Sequence, residues 1–97
     1  MRTGRIISVE DHPNADKLFV IKIDEGTDST RTVCAGLKDH YKPSELEGLN
    51  VVFVANLEPR QLRGVMSEGM ILAADDGEGG VKVLTTAGDI HSGSRVR

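Results

Sequence analysis

Short apolar stretches separated by polar turns run along the chain and predict a protein built from strands. In residues 18–24, Phe19, Ile21 and Ile23 fall on one face, as the period of two requires for a strand half-buried in a sheet. Residues 49–55 are apolar on both faces, which is typical of a strand in the middle of a small barrel. Together the patterns predict strands over residues 4–10, 18–24, 31–35, 49–55, 69–74 and 81–84.

One short helix is predicted between the third and fourth strands, within residues 37–48. Pro43 is suited to the first helical position and Gly48 to a position just beyond the end. Lys42 has no side-chain acceptor to cap the helix, so the hydroxyl of Ser44 is the alternative cap. Three strands, a helix and further strands are the order of an OB-fold. We therefore predict an all-β fold with one short helix, a five-stranded OB-fold barrel, as a single domain over residues 1–97.

Polar segments connect these elements. Pro13 in the 11–16 segment, followed by Asn14 and Asp16, predicts a tight turn. Residues 25–30, which include Gly, Asp, Ser and Thr, predict a hairpin loop, and the Asp- and Gly-rich residues 75–80 predict a turn, while residues 85–97 are expected to form a polar tail.

Charge and aromatic content narrow the possible functions. The chain carries 12 Lys and Arg against 15 Asp and Glu, a formal net charge of −3, so it cannot coat nucleic acid as a bulk polycation. Any nucleic-acid affinity must come from a local cationic patch. With one Tyr and two Phe, a stacking platform for single strands is poorly supplied, which favours folded RNA as a ligand.

The sequence lacks the residue patterns that metal binding, disulfide formation, catalysis and membrane insertion require. The three histidines are scattered among loops, and with Cys34 as the sole cysteine they predict neither a metal site nor a disulfide. Acidic turns such as Asp75 and Asp76 are ordinarily solvated, and no nucleophile stands beside a base, so we expect no enzyme activity and no cofactor. The absence of a long apolar run and of a signal core predicts a soluble, cytoplasmic protein without a membrane span.

The residues after the fourth strand carry the strongest indication of binding. Residues 56–68 contain a proline, a glycine and two arginines, and are predicted to form a surface loop with cations at Arg60 and Arg63. The loop and the strand that follows would present Arg60, Arg63, Ser67 and Met70 together. Guanidiniums, a hydroxyl and a thioether can hold phosphates and sugars, so we predict a binding surface.

The same residues resemble a known family. Asn-Leu-x-Pro-Arg-x-Leu-Arg-Gly-x-x-Ser-x-Gly-Met-Ile-Leu-Ala at 56–73 resembles the structure-specific tRNA-binding domain family, as do His-Pro-Asn-Ala-Asp-Lys-Leu at 12–18, Arg-Thr-Val-Cys-Ala-Gly-Leu at 31–37 and Tyr-Lys-Pro-Ser-Glu-Leu at 41–46. Members include the C-terminal domains of methionyl-tRNA synthetases, free-standing tRNA-binding proteins and the endothelial monocyte-activating polypeptide. The resemblance implies an OB-fold and binding of tRNA.

The resemblance also implies roles for individual residues. Arg60 and Arg63 match positions that contact tRNA, and Ser67 and Met70 match positions implicated in its recognition. The alternatives are solvated loop cations, a turn-forming serine and a core methionine. Asn56 either contacts RNA or caps the loop backbone. Further candidates to widen the cationic patch are Lys17, Lys38 and Lys42, with Lys22, Arg2 and Arg5 behind them.

Three residues depart from the family pattern. Glu58 and Gln61 stand where relatives often carry lysine, and Glu68 where they often carry glutamine, so we expect weakened tRNA binding. The implied function is a non-catalytic module that recognises the folded shape of tRNA and assists methionyl-tRNA synthetase, attached or in trans. Free-standing relatives form homodimers. The alternative is a secretion-type chaperone that binds peptides with the same fold.

Overall fold

A computed structural model describes all residues from 1 to 97 and shows an antiparallel sheet of five strands that curls into a half-barrel. The elements in chain order are β1 Arg2–Asp11, β2 Phe19–Asp24, β3 Thr30–Ala35, α1 Pro43–Leu46, β4 Asn50–Val54, β5 Arg60–Leu62, β6 Val65–Ser67, β7 Met70–Ile71, β8 Ala73–Asp75 and β9 Val81–Val83. The main sheet has the order β3-β2-β1-β4-β7, and two small hairpins, β5-β6 and β8-β9, are attached to it. The predicted OB-type, all-β fold with one short helix is confirmed.

The core lies on the concave side of the curled sheet. Phe19, Ile21 and Ile23, the predicted inward face of β2, are at most 1% exposed. Phe53 of β4 and Leu46 of α1 are fully buried with them. They belong to one core cluster of 12 buried residues, whose burial supplies hydrophobic stabilisation in a chain that has little interior.

The long strand β1 serves both halves of the half-barrel. Its first residues pair with β4, and from Arg5 onward it pairs with β2. The register shifts between Ile6 and Ser8, which is the mark of a β-bulge, and Ile7 at the shift is 50% exposed. A bulge bends a strand and increases its twist, so this irregularity helps the sheet to curl.

The segment predicted as a surface loop, residues 56–68, contains a hairpin, so that prediction was wrong in part. Strands β5 and β6 pair antiparallel and are joined by the two residues Arg63 and Gly64, whose φ angles are +51° and +92°. Positive φ at both turn positions matches the right-handed twist of the strands, and glycine adopts it without strain. Strands of three residues are too short to show a period, so the sequence pattern predicted an irregular loop.

The predicted strand over residues 69–74 is divided at Leu72. The Leu72 N–H donates to the Val52 carbonyl at 2.9 Å, and the Leu72 carbonyl accepts from the Leu84 N–H at 3.0 Å. The chain thereby passes from pairing with β4 to pairing with β9. Residues of β8 are exposed, so the continuous apolar run did not correspond to one buried strand.

Residues 85–97, expected to be a polar tail, pack along the start of β1 instead. Thr3 is only 4% exposed; its hydroxyl donates to the His91 carbonyl and accepts from the Ser94 N–H, both at 3.1 Å. A side chain at Gly93 would overlap the carbonyl oxygen of Glu25, so glycine permits this close approach. Contacts across about ninety residues hold the segment, and local composition does not reveal them.

The helix begins at Pro43, as predicted, but Ser44 does not cap it. The carboxylate of Glu45 accepts the Lys42 N–H at 2.7 Å, and the Ser44 hydroxyl makes no hydrogen bond. This is the half of a capping box that an acidic residue can supply. No helix in the chain has the length and apolar character needed to cross a bilayer.

Candidate nucleic-acid interface

The β5-β6 hairpin, residues 60–67, sorts its side chains onto two faces. Arg60 lies directly across from Ser67, and Gln61 across from Met66. Directly opposed residues share a face and alternate residues do not, so Arg60 and Ser67 point to one side and Gln61 and Met66 to the other. Ser67 is buried, whereas Met66 is 48% exposed. The side chain of Arg60 therefore lies on the side of the hairpin that faces the main sheet.

The tip of the hairpin is held by the turn over residues 12–18. The Asn14 N–H donates to Nδ1 of His12 at 3.0 Å, so the other ring nitrogen, Nε2, carries the proton. Nε2 donates it to the Leu62 carbonyl at 2.8 Å, and the Asn14 side-chain amide donates to the Arg63 carbonyl at 3.0 Å. His12 is 5% exposed, so it is a buried clamp and more than the turn residue that its position indicated.

The base of the hairpin is held by Ser67. Its hydroxyl accepts the Cys34 N–H at 2.9 Å and donates to the Gly69 carbonyl at 3.1 Å. Next to it, the Glu68 N–H donates to the Thr32 carbonyl at 2.8 Å. Since the single donor of Ser67 is already used, its hydroxyl acts first as a structural link between β3 and β6, and contact with RNA stays a prediction.

Arg31 on β3 also contacts the residues at the base of the hairpin, although the sequence patterns did not identify it as a candidate. Its guanidinium donates to Glu25 at 2.8 Å and to the carbonyls of Ala55 and Glu68 at 3.1 and 2.7 Å. It also lies 5.9 Å from the centre of the Phe53 ring. The hydrogen bond from Arg31 holds the pKa of the Glu25 carboxyl below its ordinary value, against the opposing effect of burial. The guanidinium of Arg31 therefore stabilises the fold through these contacts.

Two clefts flank the hairpin. The first, called the Arg63 cleft, has a volume of about 360 Å³ and lies between the hairpin tip and the 12–18 turn; its lining residues are Asn14, Ala15, Asp16, Lys17, Leu18 and Arg63. Lys17 and Arg63 bring two cations to it, and the Lys17 ammonium is 4.0 Å from the carboxylate of Asp39 with its side chain 81% exposed. Two exposed cations at one opening suit a phosphate group.

The second cleft, called the Met70 cleft, is smaller, about 140 Å³, and its lining residues are Cys34, Leu57, Glu58, Arg60, Leu62, Ser67, Gly69 and Met70. Met70 and Leu57 are 50% and 45% exposed, so Met70 is not the core residue of the alternative interpretation. Burial raises the pKa of the Cys34 thiol, which keeps the inner end of the cleft uncharged.

The predicted site residues thus divide into groups. Five of them line the two clefts beside the hairpin: Arg60, Arg63, Ser67, Met70 and Lys17. Lys38 flanks the 12–18 turn through an ion pair with Asp11 at 3.4 Å. Asn56 lies in a separate polar cleft of about 460 Å³ with Arg2 and Arg31, and Lys42 stands exposed before the helix. His12 and Asn14 were missed as supporting residues, although the 12–18 motif contains both.

Comparison with known proteins identifies the family of the chain. The family model described as "Putative tRNA binding domain" matches residues 1–95. The whole chain is 57% identical to part of a methionine–tRNA ligase of Pyrococcus abyssi, of which it spans 13%.

Solved structures are similar over 99% of the chain. A protein related to methionyl-tRNA synthetase from Pyrococcus horikoshii matches over 87% of its own length with a TM-score of 0.91 and 32% identity. The chaperone CsaA of Bacillus anthracis matches over 88% of its length with a TM-score of 0.87 and 25% identity. The chain therefore belongs to the tRNA-binding domain family, whose members include segments of methionine–tRNA ligases.

Proposed function

We propose that this chain is a non-catalytic module that binds the folded shape of tRNA through the β5-β6 hairpin. The observation that carries the proposal is that two guanidiniums, those of Arg60 and Arg63, stand exposed on a hairpin pinned at both ends. The ion pairs of the chain involve Arg5, Lys17, Arg31 and Lys38, so both hairpin arginines are free to bind phosphate. A hairpin backbone that is already held at its tip and base loses little conformational freedom on binding, which favours affinity.

The membership in the family supports tRNA as the ligand, and the cleft geometry supports recognition of its backbone. Lys17 and Arg63 share one opening, and Arg60 lies on the other side of the same hairpin. Contacts of this kind read phosphates and 2′-hydroxyls, which report the shape of RNA without its sequence.

The association with methionyl-tRNA synthetase is part of the same proposal. The chain spans 13% of the ligase that it resembles, so the rest of such an enzyme would carry the reaction. A tethered or associated module raises the local concentration of tRNA at the enzyme without entering the chemistry. The cytoplasm, where tRNA is charged, is the proposed location, and a homodimer is the proposed form of a free-standing domain.

The proposed affinity is modest because acidic side chains surround the cations. Asp16 lines the Arg63 cleft and Glu58 the Met70 cleft, while the carboxylate of Glu68 lies beside the hairpin base. Each repels phosphate and offsets part of the attraction of the arginines.

The test compares binding of tRNA and of duplex DNA to the wild-type chain, Arg60→Ala and Arg63→Ala. Each variant should lose about 1 kcal/mol or more of tRNA binding while its thermal unfolding stays unchanged. Arg97→Ala is the matched control, since this arginine is also exposed but does not belong to the hairpin. Wild-type affinity in both hairpin variants, or equal affinity for duplex DNA and tRNA, would refute the proposal.

A second candidate function is binding of extended peptides, and the similarity to a CsaA chaperone favours it. An apolar cleft of about 280 Å³ runs along the end of β3, lined by Cys34, Ala35, Gly36, Leu37, Met70 and Ile71. Titration of one sample with tRNA and with an unfolded peptide separates the two functions. Tighter binding of the peptide, unaffected by Arg60→Ala, would favour the chaperone.

A further inference from the structure

We propose that the Met70 cleft receives one unstacked nucleobase of the bound RNA and that the carboxylate of Glu58 selects guanine there. This inference rests on the proposed RNA-binding function and goes beyond it, because recognition of tRNA shape requires no contact with a base.

The walls of the cleft suit a flat apolar ring. Leu57 and Met70 expose about half of their surfaces, and Leu62, the last residue before the hairpin turn, also lines the cleft. The two phenylalanines are at most 1% exposed, so no phenylalanine platform is available to a base. The polarisable thioether of Met70 is a substitute surface against which a π system can pack.

The size of the cleft limits the occupant. Its volume of about 140 Å³ is smaller than the roughly 300–1,000 Å³ of pockets that take drug-sized ligands. A single nucleobase fits such a space, whereas a stacked pair of bases does not. The Arg63 cleft lies on the other side of the same hairpin and shares no lining residue with the Met70 cleft, so the base site and the phosphate site are separate.

The polar rim indicates which base. Glu58 makes no ion pair and no hydrogen bond within the chain, although Arg60 lines the same cleft. An ionised carboxylate only accepts hydrogen bonds, and its two oxygens accept best from two adjacent donors. Guanine offers such a pair on its Watson–Crick edge, N1–H beside the N2 amino group. Adenine and cytosine place one amino group beside an acceptor nitrogen, and uracil has one N–H between two carbonyls.

The carboxylate of Glu58 lowers the affinity for RNA unless it also forms hydrogen bonds with a base. Electrostatic repulsion of phosphate by Glu58 lowers the affinity for any RNA, whatever its sequence. A guanine that donates two hydrogen bonds to Glu58 offsets that loss, and other bases do not. Glu58 would thus lower the affinity for RNA in general and favour RNA that places a guanine in the Met70 cleft.

The experiment measures binding of four pentanucleotide RNAs, with G, A, C or U at the centre and uridines on both sides, to the full chain at low salt. We expect the guanine pentamer to bind about tenfold more tightly than the others, as one good bidentate contact provides. In Glu58→Gln the preference should vanish, because the amide accepts on one side only and donates on the other. Met70→Ala should weaken all four pentamers.

Glu47→Gln is the matched control, since this glutamate is exposed at the end of the helix and does not line the Met70 cleft. Equal affinity of the wild-type chain for the four pentamers, or a guanine preference that survives Glu58→Gln, would overturn the inference. Titration of tRNA on the same samples separates the two proposals. If tRNA binding depends on Arg60 and Arg63 while no guanine preference is found, only the base site fails; if tRNA does not bind, the function fails as well.

Discussion

His12 and Leu62 are fifty residues apart in the chain, yet Nε2 of the histidine donates a hydrogen bond to the leucine carbonyl at 2.8 Å. His12 is buried, and the contact joins the turn after β1 to the hairpin that carries both candidate arginines. The position of the cations therefore depends on a residue that bears none of the proposed binding chemistry.

The first prediction concerns this contact. His12→Ala should lower the free energy of unfolding by about 1–3 kcal/mol, because it leaves the Leu62 carbonyl without its partner. Binding of tRNA should weaken as well, since the hairpin tip loses one of its two anchors. Urea unfolding and tRNA titration measure the two effects. His91→Ala is the control, because that imidazole is exposed, and equal stability of both variants would contradict the clamp.

The second prediction distinguishes structure from contact at Ser67. Ser67→Ala should cost about 1–3 kcal/mol of stability, since the buried Cys34 N–H and Gly69 carbonyl lose their partner. Ser44→Ala, which removes an exposed hydroxyl without hydrogen bonds, should change stability little. If Ser67→Ala kept its full stability but lost tRNA binding, the serine would be an RNA contact instead.

The third prediction is a dependence of stability on pH. The hydrogen bond from Arg31 lowers the pKa of the Glu25 carboxyl below 4.5, so near that pH the unfolded chain binds more protons than the folded one. The stabilisation is therefore fully present above pH 4.5 and is lost as the pH falls through the lowered pKa of the folded state. In Glu25→Gln this part of the acid sensitivity should disappear. Denaturant unfolding between about pH 3 and pH 7 tests it, with exposed Glu10→Gln as the control; identical pH profiles for the wild-type chain and Glu25→Gln would contradict it.

The fourth prediction concerns salt. If a handful of phosphates contact the hairpin and the 12–18 turn, the logarithm of the tRNA association constant should fall with the logarithm of salt concentration, with a slope of roughly −2 to −4. Arg60→Ala and Arg63→Ala should each reduce the slope by about one. A flat dependence would mean that phosphates are not the main contact.

The fifth prediction restores the residues that relatives often carry. The double substitution Glu58→Lys and Glu68→Gln changes the charge at the hairpin by about +3 and should tighten tRNA binding at moderate salt, with a gain that shrinks as salt rises. The amide introduced by Glu68→Gln keeps a side-chain oxygen that can accept the Thr32 N–H, so stability should hold. If Glu58 reads guanine, the tighter variant should also lose its preference among bases.

Its control places the same charge change elsewhere, as Glu47→Lys with Glu10→Gln. A gain of equal size in this control would mean that overall charge matters and the hairpin does not. Unchanged affinity of the hairpin variant at low salt would favour peptide binding as the function.

The sequence predicted those features that depend on a local period. Alternation in β2 identified Phe19, Ile21 and Ile23 as an inward face, and all three are buried. Pro43 also predicted the start of the helix correctly from a local property, because its fixed φ suits the first helical turn.

What could not be predicted depends on distant partners. The turn residue Arg63 has a positive φ that arginine rarely adopts, and the contact that Asn14 makes with its carbonyl helps to hold it. A turn-forming role for Ser67 is what its local sequence indicates, whereas its hydrogen bond with the Cys34 N–H depends on β3, more than thirty residues away. The cationic residues were identifiable one by one, but their division between clefts depends on the curl of the sheet.

The packing of residues 85–97 against β1 brings the two ends of the chain together. Arg2 and Arg95 form a β-bridge, and the Val96 N–H donates to the Met1 carbonyl at 3.1 Å. A chain whose ends meet can be closed by a short linker and opened elsewhere, because the fold depends on which segments pair and not on where the polypeptide starts. The exposed glycine-rich turn at Gly77–Gly79 is the natural place for new ends. A circular permutant opened there should fold and keep the arginine hairpin intact.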